Sequence, residues 1–78
     1  MKLYEEIQNE LIDGEFVHCL ELVTSESEIG LDTYILQGEE IDRREEILKE
    51  YNAKNKDKRF KWILTEYQYN INTGLESI

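Results

Sequence analysis

Arg59–Asn70, RFKWILTEYQYN, is the stretch whose reading decides the fold. As a strand it puts Phe60, Trp62 and Leu64 on one face and Ile63, Thr65, Tyr67 and Tyr69 on the other. As a helix, Phe60, Ile63, Leu64, Tyr67 and Ile71 make an equally continuous stripe. Composition favours the strand. Trp, Ile, Thr and Tyr fit a pleated surface, and the segment has no Ala and few strong helix formers.

The rest of the chain is read outward from there. Residues 15–24, EFVHCLELVT, alternate with period two and are apolar on both faces, as in a central strand. Residues 31–37, LDTYILQ, repeat the pattern, with Leu31, Thr33 and Ile35 on one face. The polar stretch SESEIG between them reads as a hairpin loop. Asp42, with Glu45 three residues later, starts a helix in the manner of a capping box. Ile41, Ile47, Leu48 and Tyr51 are its apolar side, Arg44 lays its stem along that side, and it ends near Asn52–Asn55. Residues 2–13 read as an amphipathic helix with Leu3, Tyr4, Ile7 and Leu11 inward and Gly14 as its stop. Asn72-Thr73-Gly74 is a turn, and residues 73–78 read as a short tail. The expected fold is a single α+β domain over residues 1–78, in the order α-β-β-α-β. Its three-stranded antiparallel sheet carries both helices on one face. The helical reading of residues 59–70 gives α-β-β-α-α instead.

The totals narrow the chemistry. The 78 residues include eighteen acids, nine bases, one histidine and one cysteine, for a net charge of −9. A lone Cys19 makes no internal disulfide. His18 and Cys19 are neighbours on a strand, so they face opposite ways and cannot chelate one ion. With no disulfide framework and no apolar signal segment in MKLYEEIQNELIDGEF, a cytoplasmic location is expected. No apolar run is long enough to span a membrane. No second histidine stands ready as a base for Cys19, Ser25 and Ser27 lie in an acidic loop that disfavours an anion, no glycine-rich loop cradles phosphate, and Glu26, Glu28 and Asp32 lack the EF-hand spacing. A non-enzymatic protein without metal or cofactor is expected.

Charge is the strongest signal. Residues 1–42 hold twelve acids and a single base, Lys2, whereas residues 43–61 hold eight bases and four acids. Lys54, Lys56, Lys58, Arg59 and Lys61 interleave with Phe60 and Trp62, the mix that single-strand nucleic-acid binders use. Against that use, the small core needs those rings and the net field repels polyanions. The candidate partner-binding set is therefore acidic: Glu5, Glu6, Glu10 and Asp13 on the first helix, Glu26, Glu28 and Asp32 on the hairpin, and Glu39 and Glu40 before the second helix. Such charge keeps a small protein soluble, and it also steers association with a basic partner. Tyr34, Tyr67 or Tyr69 would supply apolar anchors.

In size and charge the chain resembles small acidic inhibitors of nucleic-acid enzymes, such as phage anti-restriction and anti-CRISPR proteins. The resemblance rests on no residue motif. It implies a DNA-mimicking inhibitor that occludes the groove of a nuclease or DNA-binding protein. Two other readings remain: an immunity protein or antitoxin that neutralises one toxin, and a nucleic-acid-binding module built on residues 54–62.

Overall fold

The computed structural model describes residues 1–78. The chain runs β1 (Lys2–Leu3), α1 (Tyr4–Ile7), a 3-10 turn (Gln8–Glu10), β2 (Phe16–Thr24) and β3 (Gly30–Leu36). It continues through α2 (Glu39–Asp42), α3 (Arg44–Lys54), β4 (Phe60–Asn70) and β5 (Gly74–Ser77). All five strands join one antiparallel sheet in the order β1-β3-β2-β4-β5.

This corrects the expected architecture of three strands with two helices packed on one face. Phe60–Asn70 is strand, so the alternative with a helical last element is also excluded. The expected tail is β5, which pairs Leu75 with Tyr69 and Ser77 with Tyr67. Gly74 enters it at φ +91°, a conformation that side chains with a Cβ resist.

The first helix shrinks for local reasons. Lys2 and Leu3 are drawn into the sheet against Ile35 and Tyr34. No side chain caps α1, and its acids are balanced by no base in the last turn. One turn of α-helix and one of 3-10 remain. The apolar stripe is nonetheless used: Ile7 is buried against Val17, Cys19 and Ile35, and Tyr4 and Leu11 pack on the same cluster.

The second helix breaks at Arg43, so Asp42 ends α2 rather than capping a longer helix. The start of α2 is held by Glu40. Its carboxylate accepts the Gln37 N–H at 3.0 Å and the Met1 ammonium at 2.5 Å. Burial alone would raise the Glu40 pKa; these donors more than offset it and hold the group low.

The helices lie on opposite faces of the sheet. Strand alternation puts Val17, Cys19 and Glu21 on the α1 side and His18, Leu20 and Leu22 on the other. Trp62 is opposite Leu22 and therefore on that second side. There the Tyr51 ring of α3 meets the Trp62 ring edge-on, with centroids 5.1 Å apart. Asn52 fastens α3 to the free edge of β4. Its amide accepts the Trp62 N–H at 2.9 Å and donates to the Trp62 carbonyl at 3.0 Å, as a neighbouring strand would.

Candidate functional site

Antiparallel register sorts the connections to two ends of the sheet. The start of β2 lies beside the exits of β3 and β4, because His18 pairs with Leu36 and Phe16 with Gln68. That end gathers Ile12–Glu15, Gln37–Asp42 and the β4–β5 turn. Gly14 N–H donates to the Tyr69 carbonyl at 2.7 Å, and the Ile71 N–H donates to Asp13 Oδ1 at 2.9 Å. The opposite end holds the β2–β3 loop and the α3–β4 loop. Ser25 joins them, donating from N to the Arg59 carbonyl at 2.9 Å and from Oγ to the Lys58 carbonyl at 2.7 Å.

The sorting concentrates acids. Glu10, Asp13, Glu15, Glu39, Glu40 and Asp42 lie at the first end, beside fewer bases: Lys2, opposite Ile35, and Arg43 and Arg44, directly after Asp42. Glu5 and Glu6 extend the group on α1, which packs on the neighbouring half of the sheet through Ile7. Within this group Asp13 and Glu40 serve the fold through the bonds above, and Glu15 accepts the Ile12 N–H at 2.6 Å. Glu5, Glu6, Glu10, Glu39 and Asp42 are exposed and make no ion pair.

The other proposed acids stand apart. Glu26 and Glu28 are at the basic end, where Glu28 pairs with Lys61 at 2.8 Å. Asp32 is on β3, opposite Leu22. The nine candidate carboxylates therefore do not converge: six belong to the acidic end and three do not. Eight residue steps along β2 separate the ends by about 27 Å, against a Debye length of roughly 8–10 Å at moderate salt. Each end therefore presents its own field.

Sequence reasoning missed the apolar part of the acidic end. Ile12, Phe16 and Ile71 are 71%, 63% and 67% exposed there. Apolar residues beside the Asp13-Gly14 and Asn72-Thr73-Gly74 turns were the available signal. The tyrosines expected as anchors are not free for that role, since Tyr69 is buried and Tyr34 and Tyr67 are partly buried. A cavity of about 240 Å³ also opens at this end, between the 3-10 turn, β2, β3 and α2.

At the basic end, Arg59 pairs with Asp57 at 2.7 Å, and its hydrogen bonds hold the Asp57 carboxyl down to about 2. Lys54, Lys56 and Lys58 make no ion pair. A wide cavity of about 630 Å³ lies here, but it mixes Glu26 and Asp57 with Lys58 and Arg59. Trp62 is half-buried between Tyr34 and Tyr51 rather than presented to solvent.

One carboxylate is buried. Glu21, 6% exposed, accepts hydrogen bonds from Thr65 Oγ1 at 2.7 Å and from the Tyr67 hydroxyl. Burial and then this bond push the Tyr67 phenol up to about 12. Burial, and next the Glu21 charge, push the Cys19 thiol up to about 12 as well. A neutral, sealed thiol is a poor nucleophile. Cys19 and His18 lie on opposite faces of β2, and His18 Nδ1 is 3.2 Å from Glu66.

No helix is long and apolar enough to cross a membrane. No protein-family model, no curated protein and no solved structure matches the chain.

Proposed function

We propose that this chain is a non-enzymatic binding protein whose acidic end docks on a basic surface of a nucleic-acid-handling partner and occludes it. The observation that carries this reading is the coincidence, at one end of the sheet, of the unpaired carboxylates with Ile12, Phe16 and Ile71, each more than 60% exposed. Productive interfaces combine an apolar centre with a charged rim, and exposed ion pairs alone add little affinity. The carboxylates set the on-rate and the choice of a basic partner; the apolar side chains slow dissociation. An immunity protein or antitoxin would use the same surface, with a toxin as its partner. Direct nucleic-acid binding through residues 54–62 has less support, because the Trp62 ring packs on α3 and two of the five cations are paired within the chain.

The test is competition. With a purified partner, the chain and duplex DNA should exclude one another, and the inhibition should weaken as salt rises. A ternary complex of chain, partner and DNA would refute occlusion.

A further inference from the structure

Resting on that reading, we infer that the cavity at the acidic end is the socket for one apolar side chain of the partner, flanked by arginine or lysine. The cavity, about 240 Å³, is walled by Leu11, Phe16, Leu36 and Ile41, and the polar side chains of Glu10, Glu15, His18 and Gln37 also line it. Leu36 is buried and Leu11 and Ile41 are half-buried, so the walls are packed side chains rather than loose loop. An arginine head set against the apolar walls would shed hydration, a cost that the Glu10 and Glu15 carboxylates would offset only in part. An aliphatic or aromatic side chain would lose only unfavourable contact with water. The carboxylates then meet the cations on either side of it. Phe16, still 63% exposed, extends the apolar area beyond the socket. The occupant is therefore a basic segment with a central apolar residue, in the pattern cation–apolar–cation. Fully basic runs lack the anchor, and acidic or neutral apolar segments lack the steering charge.

The full chain, labelled with ¹⁵N, tests this at low ionic strength with three synthetic pentapeptides: Lys-Arg-Phe-Arg-Lys, Lys-Arg-Gly-Arg-Lys and Glu-Glu-Phe-Glu-Glu. The first should shift the Leu11, Val17, Leu36 and Gly38 amides and bind at least about tenfold tighter than the second, the factor that burying one Phe supplies. The third should leave these amides unmoved. Equal binding of the Phe and Gly peptides at this end would overturn the socket and leave the acidic-end reading standing. Failure of both basic peptides to bind this end would sink the acidic-end reading itself. Shifts of the same amides with protein concentration alone would make a second copy the occupant, which also overturns the inference. Two variants sharpen the result. Leu11→Trp fills the socket and should erase the Phe–Gly difference while keeping charge-driven binding. Ile41→Phe should do the same from the opposite wall, should the first variant unfold. Loss of neither advantage in folded variants would overturn the assignment.

Discussion

Replacing Asn52 by alanine removes the clamp between α3 and β4. Two hydrogen bonds disappear, at 2.9 and 3.0 Å, both to the backbone of Trp62. Each is worth about 1 kcal/mol net. The Trp62 N–H and C=O are left half-buried at a strand edge, where water can reach them, so the desolvation penalty stays at its low end. The total loss is about 2 kcal/mol. A domain of this size is stable by only about 4–12 kcal/mol, so the change is large. The melting temperature should fall by about 8–16 °C. Trp62 is the single tryptophan, so its fluorescence during urea unfolding reports from the site itself. Asn52→Asp separates hydrogen bonding from shape. It keeps the acceptor for the Trp62 N–H but sets a carboxylate oxygen against the Trp62 carbonyl. It should be destabilised at neutral pH and recover in acid, where a protonated carboxyl donates again. A loss below about 0.5 kcal/mol for Asn52→Ala, or an Asp variant as stable as the parent at neutral pH, would refute the strand-mimic argument.

Three further outcomes follow from the packing. Cys19, fully buried and with its thiol held up to about 12, should react with an alkylating agent only as fast as the chain unfolds, and rapid labelling of native protein at about pH 8 would contradict this. Tyr67 titrates above its ordinary value of 10.0, so its contribution is intact below that pH and lost as pH rises toward about 12; a stability profile over that window should flatten in Tyr67→Phe. Gly74→Ala puts a Cβ at a left-handed φ of +91° and 3.2 Å from the Tyr4 hydroxyl, and should cost more than about 1 kcal/mol in thermal or urea unfolding.

The central strands were legible in the sequence because period-two alternation and β-branched or aromatic residues agreed over β2, β3 and β4. The inward stripe Leu3, Tyr4, Ile7 and Leu11 was legible too, but not its conformation. Strand pairing by Lys2 and Leu3 is a long-range contact that local periodicity does not encode. β5 carried no local signal, since LESI becomes a strand only because Tyr67–Asn70 offers an edge. Placement of the helices on opposite faces depends on where each connection crosses the sheet. The same holds for the acids. Their abundance in residues 1–42 was plain, yet antiparallel register decides that Glu10, Glu15 and Glu39 share an end while Glu26 and Glu28 lie among lysines. Asp13 illustrates the difference between charge and availability, because it holds the Ile71 N–H.

The most direct test of the central claim is retention of partner by three immobilised forms of the chain, eluted with a salt gradient and identified by mass spectrometry. The forms are the parent, an acidic-end reversal (Glu6→Lys, Glu10→Lys, Glu39→Lys) and a control reversal on the β2–β3 loop (Glu26→Lys, Glu28→Lys) that changes charge at the opposite end. A basic nucleic-acid-handling protein should be held by the parent and the control, leave at moderate salt, and be missing from the acidic-end variant. Equal retention by all three forms, or a partner that is itself acidic, would contradict the claim that this end is the binding surface.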